Sequence, residues 1–106
     1  MVGSIYFIEM PYSDFREFKG RPVLVFRQIA KNDVLVLPLT TNLNRDGIVI
    51  SEKDIKEGSL KKESVIIVPK ITAIDANLIA NARKIASLKD KTFEKVLADI
   101  CSRLAC

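Results

Sequence analysis

The sequence predicts a small, mainly β fold with some α: a partly closed barrel of short strands with one C-terminal helix. Three observations predict it. The apolar runs are short and rich in β-branched residues, as strands are. The link between the two most apolar runs is far too short for a parallel crossover. Only the last segment carries sustained helical periodicity.

The first strand is expected from Ser4 to Met10. The second runs from Pro22 to Arg27, with Val23, Leu24, Val25 and Phe26 all apolar. The third runs from Asp33 to Leu39. Gly47 to Ser51, Ser64 to Val68 and the weaker Lys84 to Leu88 follow. Strands two and three are joined by Gln28 to Asn32 only, whereas a parallel connection needs about a dozen residues, so they are antiparallel neighbours. Strands that are apolar throughout need cover on both faces. The terminal helix supplies part of that cover, and a second copy of the chain supplies the rest. A homodimer is therefore expected.

In the terminal helix, Phe93, Val96, Leu97, Ile100, Cys101 and Leu104 form one apolar stripe. Asp90 is the expected N-cap and Glu94 adds negative charge to the first turn. A shorter helix is expected from Ser51, where Ser51-Glu52-Lys53-Asp54 fits a capping box, to Gly58. Another is expected from about Asp75 to Asn81. The whole chain, residues 1–106, reads as one domain.

Seventeen basic and 13 acidic residues give a formal charge of +4, which permits a polyanionic partner without demanding one. The sequence contains no histidine. His-based acid–base catalysis, His-containing zinc sites and Ser-His-Asp triads are excluded. Cys101 and Cys106 have neither metal-ligand spacing nor a disulfide framework, so no metal site is expected. They suggest a reduced cytosolic protein in which Cys101 is a small apolar residue. The segment after Met1 has no basic opening stretch, so no signal peptide is expected. No apolar run approaches the roughly 18 residues of a membrane span.

Arg21 and Thr40 are the leading candidates for a site. Pro22 suits the first residue of a strand and holds Arg21 in an extended conformation. The guanidinium is then launched from a fixed backbone, with donors suited to a phosphate. A surface arginine beside a strand-starting proline is the plainer alternative. Thr40-Thr41-Asn42 ends strand three, so antiparallel pairing puts Thr40 on the same sheet edge as Arg21. Thr41 and Asn42 join the candidates, although all three also suit a simple turn. Asn44-Arg45-Asp46-Gly47 reads as turn chemistry. The loop from Tyr12 to Gly20 interleaves Asp14, Arg16, Glu17 and Lys19 with Tyr12, Phe15 and Phe18. Such a mixture can grip single-stranded nucleic acid, or the aromatics can simply tack the loop to the barrel. Glu17, Lys19 and, after Pro69, Lys70 are further candidates. Lys61-Lys62 reads as a solvated hairpin.

The order of these motifs resembles the MazF/PemK family of toxins from type II toxin–antitoxin pairs. Gly3-Ser4-Ile5-Tyr6 looks like the family's opening Gly-Asp-Ile-Tyr. Lys19-Gly20-Arg21-Pro22-Val23-Leu24-Val25 matches its most distinctive motif. Pro38-Leu39-Thr40-Thr41-Asn42 resembles its strand ending, and Ser64-Val65-Ile66, Thr72-Ala73-Ile74-Asp75 and Lys84 to Leu88 follow in order. The resemblance implies an SH3-like barrel of five to seven strands with a C-terminal helix, a homodimer, and a cytoplasmic prokaryotic protein. It implies cofactor-free, metal-independent cleavage of single-stranded RNA to a 2′,3′-cyclic phosphate and a 5′-hydroxyl. Arg21 and Thr40 take the catalytic places. A cognate antitoxin would occupy the RNA groove, and operator DNA would be bound only through that complex. Two departures stand out. Ser4 replaces an aspartate, and Pro69-Lys70-Ile71-Thr72 replaces a segment in which many relatives carry an arginine. Lys70 offers a point charge there without bidentate geometry. A gyrase poison of the CcdB kind and an inactive SH3-like binding module are the alternatives on the same barrel.

Overall fold

The computed structural model describes residues 1–11 and 18–106. Its strands are β1 (Ser4–Pro11), β2 (Phe18–Ala30), β3 (Asp33–Thr40), β4 (Ile48–Ile50), β5 (Ile55–Gly58), β6 (Ser64–Ile66), β7 (Thr72–Asp75) and β8 (Arg83–Leu88). A 3₁₀ turn spans Glu52–Asp54, α1 spans Ala76–Ala80 and α2 spans Asp90–Leu104. Seven strands follow one path, β4-β6-β3-β2-β1-β8-β5, and β7 pairs with β3 off that path. The strands at the two ends of the path, β4 and β5, are consecutive in sequence and joined by the 3₁₀ turn. That short link forces the antiparallel sheet to curl into a small barrel. The mainly β barrel with a C-terminal helix is the fold expected from the sequence.

Alternation along β2 and β3 explains their all-apolar composition. Leu24, Phe26, Leu37 and Leu39 point into the barrel, where they meet Ile5, Ile50, Ile66 and Leu88. Val23, Val25, Val34 and Val36 point outward and form a second cluster with Ile8 and Ile79. The outer face is therefore covered within the chain. Ile79 of α1 and Ile74 of β7 lie on it, with Tyr6, Ala76 and Ala82. This corrects the reasoning that assigned the second face to the terminal helix and a partner copy. The helix instead joins the barrel interior, through buried Val96 and Ile100, each contributing roughly 1.5–3 kcal/mol by burial.

Other expectations change in detail. The capping box at Ser51 forms, with the Ser51 N–H donating to Asp54 Oδ2 at 2.9 Å. The helix nevertheless stops at Asp54, because the chain turns extended at Ile55 to bury that side chain and pair β5 with β8. Gly58 ends a strand, not a helix, in the left-handed region at φ 81°. β7 was not foreseen: four residues carry too little alternation to signal a strand. Lys89, not Asp90, is the N-cap of α2. Asp90 is held elsewhere, by Lys56 Nζ at 2.9 Å. The apolar stripe of α2 outruns the barrel, so Leu104 is 62% exposed and Cys101 is exposed as well. Ser4 is buried, and its hydroxyl lies 2.9 Å from that of Ser87. A hydroxyl pair satisfies this position without placing a carboxylate in a site closed to water.

Gly47 immediately precedes β4 and packs against the end of β6. A Cβ there would lie 1.9 Å from the Ile66 carbonyl oxygen, and Ile66 is held between Leu39 and Ile48. Gly47→Ala is expected to destabilise the protein by about 1–3 kcal/mol, measured by urea unfolding. An unchanged midpoint would contradict the packing.

Candidate anion-binding cleft at the barrel rim

The β2–β3 register sets Val23 opposite Pro38 and Leu24 opposite Leu37. Continued outward, it sets Arg21 opposite Thr40, at the rim of the barrel. Both residues line one cleft of about 340 Å³ with Gly20, Pro22, Leu39, Thr41 and Ser64. The sequence argument that put Arg21 and Thr40 on one sheet edge is thus realised as a shared concavity.

Each side chain has a local reason for its place. Phe7 leaves no room for a side chain at position 20: a Cβ on Gly20 would sit 2.2 Å from its ring. The same ring takes the Arg83 guanidinium at 5.5 Å on its face. Gly20 therefore lets Phe7 lie flat on the backbone just before Arg21. Arg21 is half-buried and its Nε is shielded from solvent. Thr40 Oγ1 accepts the Asn42 N–H at 3.1 Å. Its one hydroxyl proton stays available to donate into the cleft. Ser64 is buried, and its hydroxyl donates to the Lys62 carbonyl at 3.0 Å, which leaves its lone pairs as acceptors. Among the described lining residues, the Arg21 guanidinium stands with the Thr40 and Thr41 hydroxyls as donors. Such a set favours an oxyanion, above all a phosphate.

The remaining candidates fall differently. Thr41 lines the cleft and is exposed. Asn42 does not line it: its Oδ1 accepts the Asn44 N–H at 3.1 Å, and its carbonyl accepts the Arg45 N–H at 3.2 Å. Asn42 is turn chemistry, as its plainer reading had it. Lys70 does not line the cleft either. Its N–H donates to the Ile67 carbonyl and its carbonyl accepts the Thr72 hydroxyl, so its backbone forms the turn into β7. Lys19 contributes backbone to β2, opposite Met10. Glu17 lies outside the described residues. Lys61 and Lys62 sit in an exposed bend, as a solvated hairpin should. Ser64 was missed as a site residue. The signal was present in the β3–β6 pairing, since Thr40 faces Val65, but that pairing is not legible from spacing alone.

The loop beyond Thr41 is held from outside by the helix. Arg103 of α2 grips Asp46 through Nη1 at 2.9 Å and Nη2 at 2.8 Å, and reaches Asp99 through Nε at 3.0 Å. Hydrogen bonding to Arg103 holds the Asp46 carboxyl below the usual carboxylate range. A carboxyl lowered on folding stabilises the fold above its unfolded pKa and loses that effect as pH falls through the folded value. In an NMR titration, Asp46 should have a midpoint below the unperturbed value of about 3.9. Arg103→Met should bring it back up. Equal midpoints in the two proteins would show that the ion pair does not form in solution.

No helix among the described residues is long and apolar enough to cross a membrane. A comparison with curated proteins finds no match. A family profile described as the PemK-like, MazF-like toxin of type II toxin–antitoxin systems matches residues 1–104. The match spans both strands of the cleft and the helix that braces it, and the chain belongs to this toxin family.

Proposed function

We propose that this toxin is a metal-independent endoribonuclease that cuts single-stranded RNA at a phosphate bound between Arg21 and Thr40. The observation that carries the reading is the shared cleft: one guanidinium and a hydroxyl with its proton to donate, facing the same space. Cleavage by the 2′-hydroxyl builds negative charge on a pentavalent phosphorus. Donors fixed in advance stabilise that charge more than they stabilise the starting diester. Arg21 neutralises it and Thr40 orients it. Attack by the 2′-oxygen expels the 5′-oxygen, leaving a 2′,3′-cyclic phosphate and a 5′-hydroxyl.

Proton transfer is a separate requirement. A guanidinium keeps its proton far above neutral pH, so Arg21 is a poor base. We assign deprotonation of the 2′-hydroxyl to Glu17, four positions before Arg21 in the sequence, with Lys19 and Lys70 as further RNA contacts. The active species in this reading is a cytoplasmic homodimer, and the cognate antitoxin silences it by filling the same groove. Operator DNA is reached only through that complex.

The test is incubation of the purified protein with mixed-sequence single-stranded RNA in EDTA. Fragments ending in 2′,3′-cyclic phosphate are expected. Arg21→Ala should lower the rate by about 10²–10³-fold or more, and Thr40→Ala by a smaller factor, without loss of the folded signal. Glu17→Gln should flatten the acidic limb of the pH–rate profile. RNA that binds but stays whole would favour an inactive binding module. Intact RNA together with stabilised gyrase–DNA cleavage complexes would favour a gyrase poison.

A further inference from the structure

The end of α2 carries a feature that the RNA cleft does not use. Helices that end in a left-handed residue often close with a hydrogen bond from the residue beyond it to the carbonyl five residues earlier, and side chains at those two positions frequently touch. Here the left-handed residue is Ala105, at φ 59° and ψ 39°. The N–H groups of Ala105 and Cys106 both reach the Cys101 carbonyl, that of Cys106 at 3.0 Å. The two positions that this closure pairs are Cys101 and Cys106. Both cysteines are exposed and free.

We propose that Cys101 and Cys106 are a site of reversible oxidation, closing an intramolecular disulfide across the C-cap of α2 when the protein meets a peroxide. The backbone fold already supplies the proximity that a disulfide needs, so closure requires no rearrangement of the barrel. The chemistry balances with one peroxide molecule. The thiolate of one cysteine attacks the peroxide, breaks its O–O bond and becomes a sulfenic acid, releasing hydroxide that is protonated to water. The second sulfur attacks the sulfenic sulfur, loses its proton and expels the oxygen as a second water. Two thiols are oxidised and both peroxide oxygens are reduced. Hydrogen bonding to Cys106, with desolvation and the Cys106 charge behind it, pushes the Cys101 thiol above the usual cysteine range. The closed ring contains Arg103, whose guanidinium holds Asp46 in the loop beyond the cleft.

Hydrogen peroxide added to the reduced, folded protein, followed by alkylation under denaturing conditions, tests this. The intact monomer should lose about 2 Da, for two hydrogens, and take up no alkyl group. A reductant should restore two alkylation sites. Trypsin cuts after Arg103, yet Leu104 to Cys106 should stay attached to the peptide carrying Cys101 until reduction. Cys101→Ser and Cys106→Ser, both at exposed positions, should each abolish the monomeric product. Ala105→Val, which disfavours the left-handed conformation while keeping both thiols, should slow closure. A monomer alkylated twice after oxidation would overturn the proposal. So would a disulfide-linked dimer as the main product, or loss of 2 Da in either serine variant.

Discussion

Two-sided burial of the β2–β3 ladder is the constraint on which the other elements depend. Pleating sends alternate side chains to opposite faces, so an all-apolar pair of strands needs two separate covers. The inner face is covered by curling the rest of the sheet around it and closing the end with Val96 and Ile100. The outer face is covered by α1 and β7, through Ile79 and Ile74. α1 could not hold that position alone, being only five residues long and well short of an independently stable helix. Asp75 caps it by accepting the Asn77 N–H at 2.8 Å, and the apolar outer face does the rest. The same ladder sets Arg21 against Thr40. The cleft is thus a by-product of the register that builds the core, and a slip by one residue would scatter both.

The position of the cleft at the rim follows from the same logic. Deep in the ladder both faces are dry, and an arginine there would be left without solvent or adequate compensation. At the rim, Arg21 keeps one side against protein and one side open. Partial burial strengthens its field within the cleft while leaving the cleft open to solvent. Gly20 makes this possible by ceding its side-chain space to Phe7. The proline that follows fixes the direction of the chain. Three consecutive residues therefore do different work: one yields space, one carries charge and one sets the backbone.

Legibility in the sequence tracked the range of the interaction. Local rules located β1, β3, α1 and the body of α2, because composition and periodicity are read within a few residues. They also located the Arg21/Thr40 edge, since a five-residue link permits only antiparallel pairing. Elements whose existence depends on a distant partner were not legible. β5 exists because β8 is there to pair with it, so the Ser51 capping box suggested a longer helix than the chain makes. Asp90 was expected to cap its own helix, but Lys56, which is remote in sequence, holds its carboxylate. Cover of the outer face was misassigned because α1 is short and its target lies across the fold. Ser64 was missed for the same reason, being brought to the cleft by β6.

The helix is more than a lid on the core. Its buried face closes the barrel, while its exposed last turn reaches Asp46 in the loop that continues from the cleft. Surface ion pairs taken singly contribute little to stability. Arg103, however, meets Asp46 with two parallel hydrogen bonds and is itself steadied by Asp99 one turn earlier. A side chain already oriented by one partner loses less freedom in binding the next. The value of this contact lies in position: it fixes the far side of a loop whose near side carries Thr40 and Thr41. Loops move easily when their backbone is exposed and their contacts are few. Here turn hydrogen bonds from Asn42 order the near half, and Arg103 orders the far half. Asp46, where the end of α2 makes this contact, lies on the same short loop as Thr41 of the cleft.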